Sequence, residues 1–483
     1  MTRDPSALNV ARRKIELAVA ADEQVDVLVI GGGITGAGVA LDAASRGLRV
    51  TLIEAEDLAF GTSRFSSKLV HGGLRYLATG DIATARESAL ERHLLMTAIA
   101  PHLIRPLGQL LPFSCGVTFR QRTAGAIGMG MGDLLRMRAH TPRGVLPAPA
   151  LVSAGTATRL VPALDPRGLR GGMLSYDGQL VDDARLVATV ARTAASFGAR
   201  ILTRVRAVAL RGDGAAVEET TTGERFEIRA RAVVNATGVW AGTLDQAISV
   251  RPSRGTHIVL DTADLGTPST ALTIPHEGSI SRYVFALPQA YGRVIVGLTD
   301  EDSPGAVPRI AQPTEPEIDF LLRSLNRVIA APVGRDQVRG AFAGLRPLVD
   351  SGTDSTADVS RRHLVSASET GFVTVLGGKL TTYRRMAEDA VDLAVQTRGI
   401  QAAPSRTASL RLVDRVVPAS EELLDDATGL TTAEVEFAVR VEGAMTVDDV
   451  LDRRTRIGLV DADRARCHAA VEAVVARTVA DLG

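Results

Sequence analysis

Three widely separated stretches of this chain repeat one pattern, in which a short apolar run is followed or preceded by helical periodicity. Residues 26–30 (DVLVI) read as a buried strand, 37–46 as a helix and 49–53 as a second strand. Residues 183–197 read as a helix, 199–210 as a strand and 231–235 as another strand. In the third stretch, 372–376 is an apolar strand that runs through Gly377-Gly378-Lys379 into a helix over 381–397. Continuous apolar strands alternating with helices predict a mostly parallel sheet covered on both faces. We therefore expect one α/β unit assembled from 20–85, 182–245 and 351–405. Between these lie 86–181 and 246–350. The first is mixed, with a helix over 82–100 leading into it and proline-rich loops near 142–149. The second carries β-patterned runs at 257–260, 282–287 and 293–298. Together the two insertions predict a β-rich cap over the α/β unit. The tail, 406–483, is helical at 432–441 and 462–482.

The first strand meets its helix through Gly31-Gly32-Gly33-Ile34-Thr35-Gly36, which places G-x-G-x-x-G on Gly31, Gly33 and Gly36. A lone G-x-G-x-x-G is a weak signal, because glycine-rich turns are common. Between a strand and a helix it is a dinucleotide fingerprint: the first glycine turns, the second admits a pyrophosphate and the third lets helix and strand pack. The helix N-terminus then offers free N–H groups to the phosphates. The second strand ends in Glu54, placed to accept from both hydroxyls of an adenosine ribose. This pattern does not separate NAD from FAD.

Bulk properties narrow the partners. Basic and acidic residues balance at 55 each, which removes any global electrostatic reason to expect nucleic acid. The two cysteines, Cys115 and Cys467, are too far apart for a C-x-x-C pair or a zinc site, and no metal is expected. Such usage fits a reducing cytoplasm. The first 24 residues carry Arg12-Arg13-Lys14 with no apolar core behind them, and predict a helical extension in place of a signal peptide. No run approaches the ~18 apolar residues of a membrane span. Residues 125–138 (GAIGMGMGDLLRMR) allow either a helix dipping into lipid headgroups or a stripe facing the core. Lysine occurs only at Lys14, Lys68 and Lys379 in this arginine-rich chain, which suggests that a compact ammonium matters at the last two.

The run from Gly61 to Tyr76, GTSRFSSKLVHGGLRY, resembles the signature of FAD-dependent glycerol-3-phosphate dehydrogenases. Further segments match in order: Val181-Asp182-Asp183-Ala184-Arg185-Leu186, Asn235-Ala236-Thr237-Gly238 with Trp240, Gly255-Thr256-His257, Gly297-Leu298-Thr299-Asp300, Gly344-Leu345-Arg346-Pro347-Leu348, and Gly377-Gly378-Lys379-Leu380-Thr381-Thr382-Tyr383-Arg384. A weaker echo is Arg453-Arg454-Thr455-Arg456. The resemblance implies an α/β, glutathione-reductase-like FAD-binding Rossmann fold, discontinuous in sequence, with a β-rich substrate (cap) domain and a C-terminal helical domain. It also implies oxidation of sn-glycerol 3-phosphate to dihydroxyacetone phosphate.

Carried over residue by residue, the resemblance places FAD against Gly31, Gly33, Ile34, Thr35, Gly36 and Glu54. It adds Thr62, Ser63, Ser67, Lys68, His71 and Gly72 from the signature run, then Val205, Ala236 and Gly238, and finally Gly378, Leu380 and Thr381. A helix start after Gly377-Gly378, with Lys379 beside it, suits the negative charge of a reduced flavin. Removing the hydroxyl proton needs a base, and the matching Gly-Thr-His context makes His257 the leading candidate, with His71 ordering the loop. A phosphate monoester calls for guanidinium forks, assigned to Arg75, Arg346 and Arg361, with Arg362 an open alternative to Arg361. Tyr76 and Lys379 complete the expected substrate contacts.

The family implies electron transfer to a membrane quinone, and relatives using O2 share the same motifs. A quinone-linked enzyme on the cytoplasmic membrane face and a soluble oxidase both remain open, as does a homodimer. A related amino-acid or hydroxy-acid oxidase, or a non-redox protein of the same fold, are the alternatives from further away.

Overall fold

The computed structural model describes residues 4–73, 76, 80–349 and 363–483. The strand Val25–Ile30 forms where the apolar run demanded, with every residue but Asp26 buried. It lies between Val50–Glu54 and Arg225–Asn235, parallel to both. The sheet continues through Val373–Gly377 on one side and Arg200–Thr203 on the other, again in parallel. Strands from three distant parts of the chain thus share one sheet, with His363–Ala367 antiparallel at its edge. In this register Ile30 faces both Ile53 and Asn235. Gly31, Glu54 and Ala236 therefore leave the sheet side by side at the carboxyl ends of their strands, where open α/β sheets bind ligands.

The helix Ile34–Ser45 is buried at every residue but Thr35, between the helices Asp183–Ser196 and Tyr383–Thr397. Its small side chains permit that closeness: a Cβ on Gly38 would stand 2.8 Å from the Tyr383 ring. The stretch 199–210, expected as one strand, is two: Arg200–Thr203 and Val205–Arg211. Arg204 breaks it with a left-handed φ of 60°. The second piece pairs with Gly214–Glu219 in an antiparallel ribbon, where side-chain alternation alone shows no interruption.

A second, ten-stranded mixed sheet makes the cap. Its long strand Val250–Asp261 pairs with Gly340–Val349 on one side and with Arg293–Gly297 on the other. That register sets Ser253 opposite Arg346, and His257 opposite both Phe342 and Gly297. Helix Ile82–Leu94 continues as a π-helical turn, Leu95–Ile99.

The C-terminal helices Thr432–Arg440, Val447–Arg453 and Asp461–Leu482 enclose their own core of Val435, Val439, Leu451, Cys467 and Val471. A buried ion cluster ties this unit to the α/β unit. Asp57, 1% exposed, accepts from Arg453 Nε at 2.7 Å and from Arg454 Nη1 and Nη2 at 2.9 Å each. Arg456 reaches the Val181 carbonyl at 2.8 Å. The Arg453-Arg454-Thr455-Arg456 motif is thus a clamp between domains, with no cavity contact. Among the described residues no helix is long and apolar enough to cross a membrane.

Candidate active site

A cavity of about 1100 Å³ runs from the carboxyl edge of the parallel sheet into the cap. Its floor is the glycine turn. Gly31 adopts φ +107°, and a Cβ there would stand 2.7 Å from the Ala236 carbonyl oxygen. At Gly36 a Cβ would fall 1.8 Å from the Gly31 oxygen, so this glycine serves helix packing behind the wall and does not line the cavity. Gly33, Ile34 and Thr35 do line it, at the start of the buried helix. Ser63 Oγ accepts from the Ile34 N–H at 2.9 Å, which aims the signature loop at the helix N-terminus.

Glu54 lines the same end. Its Oε2 accepts from Gly32 N–H at 2.6 Å and its Oε1 from Glu56 N–H at 2.9 Å, leaving further lone pairs for a ligand hydroxyl. Burial pushes its carboxyl above the usual range, and those two N–H donors oppose the shift. Val205, Ala236 and Gly238 form the adjoining wall. Opposite, Gly377 and Gly378 turn with φ +75° and +65° into Leu380–Thr382 and the helix behind it. Gly378, Lys379, Leu380 and Thr381 all face the cavity.

The signature run splits into two roles. Thr62, Ser63, Ser67 and His71 reach the cavity wall, as does Tyr76. Thr62 Oγ1 also donates to the Leu345 carbonyl at 2.6 Å, joining this loop to the cap strand that bears Arg346. Lys68 and Gly72 do not line the cavity, contrary to the expectation of direct cofactor contact. Lys68, 1% exposed, donates to Asp183 Oδ2 at 2.6 Å and to the Arg64 carbonyl. Burial pulls its ammonium down to about 8 against the pull of Asp183. Gly72 N–H donates to Asp177, whose carboxylate also pairs with Arg92, and a Cβ at Gly72 would strike that guanidinium.

His257 also departs from expectation. Its ring is fully buried and lies behind the wall, with Nε2 2.9 Å from Ser67 Oγ. It stacks on Phe342 at 4.8 Å between centroids. Burial, then the nearby Lys68 and Arg346 cations, lower it to about 3, so the ring is neutral near neutral pH. Arg346 does reach the cavity, but already oriented: it donates to Ser253 Oγ and Asp300 Oδ1 at 3.1 Å and to the Thr299 carbonyl at 2.9 Å. Lys379 donates to Ser88 and sits 4.3 Å over the Tyr76 ring. Arg75 and Arg361, with Arg362, lie outside the described residues.

Several wall residues had no assigned role in the sequence. Thr299, Asp300 and Trp240 stand in matched motifs, and their position there was a usable signal. Arg282 was not separable from other surface arginines. It lines the cap side of the cavity and makes no ion pair among the described residues. Met129, Ile127 and Met131, from the helix Phe119–Arg138, line the cavity mouth.

The pocket suits an elongated dinucleotide: a side-chain-free phosphate turn, an acid at the ribose position and a second glycine turn facing it. Residues 26–384 match the family described as FAD dependent oxidoreductase, and residues 401–483 match the C-terminal domain of alpha-glycerophosphate oxidase. The chain is 47% identical to glycerol-3-phosphate dehydrogenase 1 of Mycobacterium tuberculosis, over 98% of this chain and 99% of that protein. It is 36% identical to the human mitochondrial glycerol-3-phosphate dehydrogenase, over 80% of this chain and 55% of that protein. Among solved structures, glycerol-3-phosphate dehydrogenase from Bacillus halodurans complexed with FAD matches with a TM-score of 0.72 at 25% identity, covering 98% of this chain and 97% of that one. The pocket's cofactor is therefore FAD, and the chain belongs to the family of FAD-dependent glycerol-3-phosphate dehydrogenases.

Proposed function

We propose that this protein oxidises sn-glycerol 3-phosphate to dihydroxyacetone phosphate and passes the electrons to a membrane quinone. The observation that carries this reading is one shared cavity, in which the FAD-type glycine turns and the cap cations Arg346 and Arg282 face the same space. When bound, FAD supplies the acceptor for the substrate hydride, which we assign to N5. Gly31, Gly33 and Glu54 would hold its adenosine diphosphate half, and the Gly377–Thr381 turn would lie along its redox-active end.

The chain's own groups do the rest. Arg346, clamped by Ser253, Asp300 and Thr299, presents a fixed guanidinium to the phosphate, so little rotamer freedom is lost on binding. Arg282 adds a second cation on the cap side of the cavity. Arg75 and Arg361 are proposed as further phosphate ligands on the strength of their motif positions. His257 is the base; its neutral ring accepts a proton, and a dianionic ester beside Arg346 would offset one of the two cations that depress its basicity.

Quinone reduction at a membrane face is supported by the cavity mouth. The helix Phe119–Arg138 exposes Phe119 (81%), Ile127 (60%), Met131 (44%), Leu134 (45%) and Met137 (48%) while burying Met129 and Leu135. The methionine stripe therefore faces outward as well as inward. Ile127 and Met131 belong both to this apolar surface and to the cavity wall, which gives a lipid-dissolved acceptor a continuous apolar approach. Anaerobic titration with glycerol 3-phosphate, followed at the flavin absorbance, tests the substrate; bleaching is expected, and its absence refutes the assignment. Reoxidation of the bleached protein by a quinone analogue faster than by O2 is expected; the reverse order would make it an oxidase.

A further inference from the structure

The substrate's hydroxyl proton has no direct route to the base. His257 is 0% exposed and no part of its ring reaches the cavity. Nor is the ring free to swing there. One face lies on Phe342, at 4.8 Å and 13° from parallel, and the edge abuts Gly297 so closely that a Cβ there would fall 2.1 Å from His257 Cδ2.

Ser67 fills the gap. Ser67 lines the cavity, and its Oγ is 2.9 Å from His257 Nε2. Both neighbours of Ser67 are anchored to one buried carboxylate: Ser66 donates to Asp183 Oδ2 from its N–H at 3.1 Å and its hydroxyl at 2.7 Å, and Lys68 donates from Nζ at 2.6 Å. Lys68 adopts φ +58°, so the backbone turns sharply just after Ser67 and brings its neighbours onto the same acceptor. The Ser67 hydroxyl thus stands between the cavity and the imidazole, on a backbone fixed at both neighbouring residues.

We propose that Ser67 relays the proton of the alcohol oxidation between the substrate hydroxyl and His257. This rests on the reading of the cavity as the site of glycerol 3-phosphate oxidation. The substrate O–H bond breaks and an O–H bond forms on Ser67 Oγ; the original Ser67 O–H bond breaks and an N–H bond forms on His257 Nε2. The electron pair left on the substrate oxygen becomes the C=O π bond as the C–H pair departs as hydride to the FAD. The substrate is oxidised by two electrons, and the proton rests on the imidazole. His257 Nδ1 has no hydrogen-bond partner among the described residues, so no neighbour fixes the tautomer, and Nε2 accepts from Ser67 in the tautomer that carries its proton on Nδ1. The charged groups facing the ring are Lys68, Arg346 and Asp183. Ser67 is the residue that would touch substrate, and His257 acts through it.

The test is anaerobic stopped-flow flavin reduction by glycerol 3-phosphate in the FAD-loaded wild type and in Ser67→Ala and Ser67→Thr, across pH and in D2O. Ser67→Ala is expected to slow reduction by about 100-fold or more and to lose the solvent isotope effect, with substrate affinity changed by less than about threefold. Ser67→Thr keeps the hydroxyl and is expected to recover most of the rate and the solvent isotope effect. Independently of turnover, 15N-histidine NMR should show a hydrogen-bond shift at His257 Nε2 that is present in wild type and Ser67→Thr and lost in Ser67→Ala. Wild-type rates in Ser67→Ala, or equal slowing in the Ala and Thr variants, would overturn the relay while leaving the substrate assignment intact. A wild-type flavin that glycerol 3-phosphate does not bleach would overturn both.

Discussion

Acidification should destabilise the wild-type protein more steeply than a His257→Asn variant. The ring is completely buried and its folded-state value, about 3, lies below the 6.5 of a free histidine. Between those values the unfolded chain binds a proton that the folded chain refuses. Stability held above the unfolded value is therefore lost progressively as the pH falls from 6.5 towards 3. At 1.36 kcal/mol per unit, the loss is about 3 kcal/mol near pH 4.5 and approaches about 5 kcal/mol at the lower limit. Asparagine does not titrate in this range, so its variant lacks this term, while the carboxylates shared by both proteins contribute equally. Urea denaturation followed by far-UV circular dichroism, at about pH 7.5, 6, 5 and 4.5, gives the difference in slope and cancels any constant cost of the substitution. Parallel pH dependences in the two proteins would refute the reasoning, because they would mean that the imidazole protonates freely in the folded state and is not screened behind Ser67.

The other predictions test separate parts of the structure. Gly36→Ala places a methyl 1.8 Å from the Gly31 oxygen, so the variant should purify colourless or not at all, as its FAD absorbance would show. Arg346→Ala removes a charge-assisted contact worth about 1.5–3 kcal/mol, which predicts a KM for glycerol 3-phosphate raised about 10- to 100-fold with a smaller change in kcat. Asp57→Asn strips the carboxylate from between Arg453 and Arg454 and should cost about 3–5 kcal/mol, seen as faster hydrogen exchange across the C-terminal helices than in the parallel sheet. Phe119→Glu combined with Met137→Glu should abolish co-sedimentation with lipid vesicles and leave flavin bleaching by substrate unchanged, since neither residue lines the cavity; undiminished sedimentation would remove this helix from membrane contact.

The glycine turn, the strands on either side of it and Glu54 were all legible in the chain, because each obeys a local rule: a period of apolar residues, a glycine where a Cβ has no room, an acid at a strand end. Local rules also located the 377–381 turn and the helix carrying the methionine stripe. They failed at Arg204, whose left-handed backbone interrupts a run that alternates as one strand. They could not tell that the stripe on 119–138 faces both solvent and cavity, since that depends on which neighbours cover it.

What the amino-acid order determined by itself is the cofactor-binding frame and the set of reactive residue types, since periodicity and backbone freedom are properties of adjacent positions. Only the tertiary structure decided where those side chains point. Lys68 meets a carboxylate 115 positions away and is consumed by it, and Arg346 is oriented by Asp300 across the cap. His257 is turned behind Ser67 because strand register sets it against Phe342 and Gly297. Pairings between distant segments depend on packing volume and sheet register, which no local stretch of sequence encodes.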